Sequence, residues 1–297
     1  MTLRWNSLEL VVVTGKGGVG KTTIAAALAS VLARRQRVRL LEVDPRENAH
    51  RLFDVPPSGG APVAVGPGLE LLHTRSRQVV DSIVSSKLKV GPLVRRLKAS
   101  PIYEHFVDGA PGLKELALLR YTHDLVRGTK ESRATDCVVL DSPATGHAMS
   151  LLSAPALVAE AIATGPIAAL AREVAAWLTA ETTGFALVTL AEELPVTESL
   201  EAAHALGEVL GKPAEAWVAN GLYPEVPSGC RPAGELGELW ERRRAVNERE
   251  LARLEKRLGR GVARLPLLPI SEGRALVEAL AERLENELDG ARAGEES

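Results

Sequence analysis

The residues with the clearest chemical potential lie near the amino terminus, in the stretch GKGGVGKTT from Gly15 to Thr23. Its spacing, G-x-x-x-x-G-K-[ST], gathers glycine N–H groups, a lysine and a hydroxyl side chain in one short loop. The glycines let successive N–H groups converge on phosphate oxygens, and a following helix directs its positive end to the same place. Lys21 would reach the β- and γ-phosphates, and Thr22 would hold Mg²⁺. The stretch therefore predicts a nucleotide site.

The flanks of this loop supply the elements that such a site needs. Residues 8–13 form a short apolar run typical of a buried strand. Residues 24–33 are rich in alanine and leucine, which favours a helix. Strand, glycine-rich loop and helix is the context that the motif requires, so an accidental match by a glycine-rich turn is disfavoured.

Two further apolar runs each lead into an aspartate. Asp44 follows RVRLLEV, and Asp141 follows CVVL. Phosphoryl transfer needs a metal ligand and a group that orients the attacking water. Asp141 fits the metal-holding role, directly or through water, which leaves Asp44 to orient the water. The alternative is that either aspartate only caps a following turn or helix.

Predicted strands alternate with predicted helices along the chain. After the first strand, the pattern predicts strands at 37–43, 69–73, 137–140, 185–190, 216–220 and 262–268. This alternation indicates an α/β fold: a doubly wound, mostly parallel sheet of the P-loop NTPase type, in a single domain that spans residues 1–297. We expect the carboxyl ends of its strands to bind the ligand.

Three other segments complete the predicted organisation. An inserted helical subdomain is predicted from approximately 75–130 plus 156–181. Residues 56–68 hold four prolines and four glycines, which predicts a loop. Residues 289–297 are predicted to be a disordered tail.

Composition excludes several classes of protein. A net charge of −2 argues against a nucleic-acid partner held by bulk electrostatics. The first ten residues lack the pattern of a secretion signal, and no uncharged apolar run approaches the ~20 residues of a membrane span. The two cysteines, Cys137 and Cys230, do not suggest a disulfide framework. We expect a soluble cytoplasmic protein.

Taken together, GKGGVGKTT and DSPATGHAMSLL resemble the deviant Walker-A ATPases, and within them the arsenite-pump and tail-anchored-protein-targeting ATPases (the ArsA/Get3 family). The second switch of that family is similar to DTAPTGH followed by an apolar helix. Asp141, Thr145, Gly146 and His147 match it.

The resemblance continues in the first switch and in the carboxyl-terminal part of the chain. The family's first switch is similar to DPAHN, and Asp44, Pro45 and Asn48 match it while Arg46 and Glu47 depart. Further along, Asn220 in WVANGLYP resembles the family's adenine-contacting asparagine. The stretch Leu265-Pro266-Leu267-Leu268 resembles its late adenine-side loop.

The resemblance implies a role for each matching residue, with ATP and Mg²⁺ as the cofactors. The implied catalytic residues are Asp44, Lys16 and Lys21, and the implied metal-holding residues are Thr22, Asp44 and Asp141. The implied nucleotide-binding residues are Gly15, Lys16, Gly17, Gly18, Val19, Gly20, Lys21, Thr22, Thr23, Asn48, Asp141, Asn220, Pro266 and Leu267.

Lys16, the additional lysine of the loop, is the residue through which the resemblance implies a dimer. In the family such a lysine reaches the nucleotide of the opposing subunit in a face-to-face dimer. One such loop per chain therefore implies a homodimer, or a heterodimer with a paralogue.

The departures from the family bear on partners. The approach to the arginine-rich helix is GELGELWERRR, without the family's Cys-x-x-Cys pair, so we expect no zinc. The cysteines that bind arsenite are also missing, which disfavours a metalloid pump. Two methionines in the whole chain do not make the methionine-rich groove of the targeting members.

The predicted function is a Mg²⁺-dependent ATPase of the ArsA/Get3 type. ATP-driven opening and closing of its dimer would control binding of a protein client, with a hydrophobic segment of a membrane protein as the leading candidate. Two alternatives stay open: a MinD/ParA-like positioning ATPase, and a weakly hydrolysing nucleotide-dependent scaffold that pairs with a related ATPase.

Overall fold

The computed structural model describes residues 5–87, 109, 112–128, 134–226 and 234–295. Part of the predicted helical subdomain and Cys230 lie outside the described residues, as do the last two residues of the predicted disordered tail.

The strands are β1 (Leu10–Gly15), β2 (Val38–Glu42), β3 (Val63–Gly66), β4 (Leu69–His73), β5 (Cys137–Asp141), β6 (Thr183–Leu190), β7 (Ala216–Leu222) and β8 (Ala263–Pro266). The helices are α1 (Lys21–Ala33), α2 (Ala49–Leu52), α3 (Ser76–Lys87), α4 (Leu113–Arg127), α5 (Thr145–Ala161), α6 (Pro166–Thr179), α7 (Glu193–Leu210), α8 (Glu235–Leu258) and α9 (Arg274–Glu295). A short 3₁₀ helix, Trp5–Ser7, precedes β1.

The strands form one sheet in the order β3-β4-β2-β5-β1-β6-β7-β8. Its pairings are parallel except for the β3–β4 pair, which is antiparallel. β1 lies between β5 and β6, so the glycine-rich loop leaves the sheet from a central position. The predicted doubly wound, mostly parallel α/β fold is confirmed.

Both faces of the sheet are covered, which explains why the predicted strands are continuous apolar runs. Leu10 and Val12 of β1 point into a core that also contains residues of α4 to α8. Val11 and Val13 point to the other face, into a core formed with α1 and α9. Alternate residues of one strand therefore belong to two different cores.

Within residues 56–68, which the prolines and glycines predict as a loop, the structure has strand β3 instead. β3 lies at the edge of the sheet. Proline and glycine are tolerated there because the outer side of an edge strand has no neighbouring strand to bond. Gly68, with φ 69°, makes the tight turn into β4. At the other end of the chain, helix α9 continues to Glu295 and so includes most of residues 289–297, which the sequence predicts to be a disordered tail.

Candidate nucleotide site

The loop between β1 and α1 has the backbone that its glycines predict. Gly18 and Gly20 have φ of 84° and 89°, a region that favours glycine. Gly20 is the residue directly before α1. Because glycine has no side chain, it cannot cap the first N–H groups of the helix. Unsatisfied N–H groups at a helix start, next to a glycine-rich loop, form a phosphate-binding environment.

Asn220, near the end of β7, holds this loop from one side. Its Nδ2 donates to the carbonyl oxygen of Val19 at 2.9 Å. A Cβ added to Gly20 would collide with the same side-chain amide. A larger residue at position 20 would therefore displace the Asn220 amide as well as strain the backbone.

Lys21 lies at the first position of α1 and bends back over the loop. Its Nζ donates to the carbonyl oxygen of Lys16 at 3.0 Å. Burial lowers the pKa of this ammonium, while the charges of Asp141 and Asp44 oppose the shift. Both strand-end aspartates are therefore close enough to act electrostatically on the lysine.

Asp141, the last residue of β5, is 4% exposed. Burial raises its pKa to about 6, against the hydrogen bond from Thr22 and the charge of Lys21, and Asp44 adds to the rise. Among the described residues, its Oδ1 has no hydrogen-bond partner. The structure thus brings Lys21, Thr22 and Asp141 together, as the sequence predicts.

Asp44 follows β2 and is exposed. Its Oδ1 accepts the backbone N–H of Arg46 at 3.1 Å, which closes a local turn. The side chain of Asn48 donates to the carbonyl oxygen of Arg46 at 3.1 Å, so Asn48 contributes to this turn.

Lys16 has a partner that the sequence did not indicate. Its Nζ lies 2.6 Å from Oε1 of Glu198, on α7 of the same chain, and both side chains are about one-third exposed (38% and 35%). Within a single chain, the Lys16 side chain therefore points toward α7.

The remaining predicted residues also lie at the carboxyl edge of the sheet. Thr145, Gly146 and His147 begin α5, directly after the loop that follows β5. Pro266 ends β8, and the N–H of Leu267 donates to the carbonyl oxygen of Leu222 at 2.7 Å. Leu267 is 45% exposed.

Two buried ionisable residues near the site were missed by sequence reasoning, Glu42 and His73. Glu42 is 1% exposed, pairs in register with Asp141 on the neighbouring strand, and has a pKa that burial raises to about 7. His73 ends β4 and contacts the main chain of Asp44. The acidic residue among the apolar residues of LLEV is the one signal that could have pointed to Glu42.

No helix among the described residues has the length and apolar character to cross a membrane.

Comparison with known proteins places the chain in a family. The family model described as "Anion-transporting ATPase" matches residues 8–164, just over half of the chain. This match includes the glycine-rich loop and both strand-end aspartates.

Curated relatives agree with that match. The "ATPase BagA" of Mycobacterium tuberculosis is 34% identical over an alignment of 221 residues that covers 69% of this chain and 63% of that protein. The "ATPase get3" of Schizosaccharomyces japonicus is 30% identical over 166 residues, 54% of this chain and 48% of that protein. The "Putative arsenical pump-driving ATPase 1" of Aquifex aeolicus is 26% identical over 157 residues, 50% and 38% of the two chains.

The chain thus spans less than two thirds of the length of the relatives it matches. The shared loop, the confirmed sheet and the family match over residues 8–164 lead to one conclusion: the chain belongs to the anion-transporting ATPase family.

Proposed function

We propose that this protein is a Mg²⁺-dependent ATPase whose nucleotide cycle opens and closes a dimer and so controls binding of a protein client. The observation that carries the proposal is the convergence of Lys21, Asp141 and Asp44 at one edge of the sheet. A phosphate cradle, a metal-holding carboxylate and a water-orienting carboxylate are the parts that phosphoryl transfer to water requires.

The loop from Gly15 to Thr23 would bind the phosphates through its N–H groups, and Lys21 would contact the β- and γ-phosphates. The partial burial of Lys21 strengthens that contact, because charges interact more strongly where water is excluded. Asn220, Pro266 and Leu267 would border the adenine at the β7–β8 side of the sheet, and Asn48 would border the phosphates from the first switch.

The residues present also suit Mg²⁺. The metal prefers oxygen ligands, and here a threonine hydroxyl meets a buried carboxylate that has one oxygen without a partner among the described residues. Thr22 and Asp141 would hold the ion, which leaves Asp44 to orient the water. When bound, Mg²⁺ supplies positive charge to the phosphate oxygens on which negative charge develops.

Asp44 is suited to orient the attacking water because its carboxylate is exposed beside this buried group. It would accept a hydrogen bond from the water and direct its oxygen toward the γ-phosphorus. Proton acceptance by Asp44 is not required, since the loose transition state of this reaction depends mainly on positioning and charge.

The dimer and client are the finer part of the proposal. Lys16 would leave Glu198 and contact the nucleotide of a second subunit, either another copy or a paralogue. A helical subdomain built from α3, α4, α5 and α6 would respond to the second switch. Leu157 and Ile167 of this region are 59% and 41% exposed, so both side chains are accessible to a hydrophobic client segment.

The direct test is phosphate release from ATP by the purified full chain with Mg²⁺, compared with Lys21→Ala and with Lys256→Ala as an exposed-lysine control. We expect hydrolysis by the wild type and by the control, and a loss of at least about 10²-fold in Lys21→Ala. A wild type that binds a fluorescent ATP analogue without hydrolysing ATP would favour the scaffold function instead.

A further inference from the structure

The first switch segment, residues 44–49, has little internal support. The turn from Asp44 to Arg46 and the Asn48 side-chain bond are local contacts between residues of the segment itself. Such contacts shape the turn, but they do not fix its place relative to the sheet. Apart from its covalent link to β2, the position of the Asp44 carboxylate must therefore come from contacts with other elements.

At the start of the segment, that contact is made by His73. Its Nε2 lies 2.8 Å from the carbonyl oxygen of Asp44. A carbonyl oxygen only accepts hydrogen bonds, so Nε2 carries the hydrogen and donates. The His73 side chain is 7% exposed, and the backbone N–H of His73 donates to Oγ of Ser58 at 3.0 Å. The buried imidazole thus links strand β4 to the main chain of Asp44 by a hydrogen bond.

Glu47 connects the middle of the segment to the same region. Its side chain is 13% exposed and lies 3.8 Å from Nδ1 of His73. Its carboxylate accepts the backbone N–H of Ser58 and, at 3.4 Å, that of Gly59. Burial acts to raise the pKa of Glu47, but these hydrogen bonds and His73 outweigh it and hold the pKa below its usual value. The carboxylate of Glu47 therefore connects the middle of the segment to the main chain at Ser58 and Gly59.

The end of the segment is fixed by Glu42. Its buried carboxylate accepts the backbone N–H of Asn48 at 2.8 Å and that of Ala49 at 3.2 Å. The segment is consequently held at its first residue by a donor from β4 and at its last residues by an acceptor from β2.

We propose that His73 is a positioning residue of the hydrolytic site, and that its hydrogen bond to the Asp44 main chain keeps the Asp44 carboxylate in place for the attacking water. This inference rests on the proposed ATPase function and adds to it a residue that does not touch the nucleotide. It acts through the backbone of Asp44, whereas Glu42 and Glu47 hold the remainder of the segment.

The expected effect falls on the rate of hydrolysis. A displacement of about 1 Å in a catalytic group costs on the order of 10²-fold in rate. Loss of the His73 donor frees the start of the segment while Lys21, Thr22 and Asp141 keep their positions. Nucleotide affinity therefore changes little.

The experiment compares His73→Leu, which removes the donor, with His73→Gln, whose amide places a donor near the position of Nε2. His204→Leu, at an exposed position on α7, is the matched control. Turnover of Mg·ATP, binding of a fluorescent ATP analogue, and amide hydrogen exchange of residues 44–49 without nucleotide are measured for the full chain.

We expect kcat of His73→Leu to fall by about 10²-fold with a dissociation constant within about threefold of wild type. His73→Gln should recover most of the rate, and exchange of residues 44–49 should be faster in the Leu variant than in the Gln variant. Wild-type kcat in His73→Leu, or equal loss of kcat in both variants, would overturn the inference.

The exchange measurement separates this inference from the proposed function. If the wild type does not hydrolyse ATP, the proposed function fails. Faster exchange of residues 44–49 in His73→Leu but not in His73→Gln would then still show that this hydrogen bond holds the segment. If the wild type hydrolyses ATP but exchange is unchanged in His73→Leu, the positioning role fails and the ATPase function stands.

Discussion

Asp44 and Asp141 lie at the ends of apolar strands that are neighbours in the sheet, yet one is exposed and the other is buried. Asp141 is 4% exposed, and its carboxylate is placed by direct contact with Thr22 and by burial. Asp44 is exposed, and its carboxylate bonds only within its own turn among the described contacts. Its position depends on the main chain, which His73 holds.

The difference indicates how one sheet edge can serve two roles. A carboxylate fixed by its own burial suits a static partner such as a metal ion. A carboxylate that stays in water but rests on a fixed backbone suits contact with a water molecule. Buried charge also costs stability, so the two aspartates should respond differently to the same substitution.

The largest expected difference is in function. Asp44→Asn should lower kcat by at least about 10²-fold while leaving nucleotide affinity within about threefold, because it removes only the group that orients the water. Asp141→Asn should lower both kcat and affinity in Mg²⁺, because it removes charge next to Thr22 and Lys21. Steady-state kinetics and titration with a fluorescent ATP analogue measure the two effects. Similar losses of affinity in both variants would contradict the division of roles.

The next difference is in the stability of the nucleotide-free protein. The rise in the pKa of Asp141 from 3.8 to about 6 corresponds to about 3 kcal/mol of unfavourable charge burial at neutral pH. Asp141→Asn should therefore raise the free energy of unfolding by up to about 3 kcal/mol at pH 7.5 in EDTA. Asp44→Asn, at an exposed site, should change it by less than about 0.5 kcal/mol. Urea denaturation followed by circular dichroism measures both values.

The pH dependence gives this prediction a definite sign. The folded-state pKa of Asp141 is raised, so the folded protein binds a proton before the unfolded chain does as the pH falls from about 6. The advantage of Asp141→Asn should be complete above about pH 6 and should shrink to nothing as the pH approaches about 4. An advantage that is independent of pH would mean that packing, and not charge burial, is its source.

A small effect on stability is also expected at Lys16. Its pair with Glu198 is partly exposed, so Glu198→Gln should change the free energy of unfolding by less than about 1 kcal/mol. Lys16→Ala should likewise spare the fold but weaken nucleotide-dependent dimerisation, as measured by light scattering with ATP and Mg²⁺. An unchanged dimer mass in Lys16→Ala would restrict this lysine to its contact within the chain.

Much of the architecture could be predicted because its causes are local. The strand, loop and helix around Gly15–Thr23, and the strands that end near Asp44 and Asp141, follow from apolar runs and glycine positions within short stretches. Edge strand β3 was missed because its sequence has the composition of a loop. The prolines and glycines around it dominate the composition of residues 56–68, although its two valines favour a strand and its pairing with β4 completes one.

The site shows the same division. The sequence alone determined that the chain carries a glycine-rich loop with the spacing of a phosphate-binding motif and two aspartates at strand ends, since motif spacing and strand ends specify these groups without knowledge of distant contacts. Only the tertiary structure decided that His73 supports the Asp44 main chain, that Glu42 anchors Asn48 and Ala49, and that Lys16 meets Glu198. These pairs join separate strands and helices, and residue spacing along the chain carries no information about which side chains the folded sheet brings into hydrogen-bond distance.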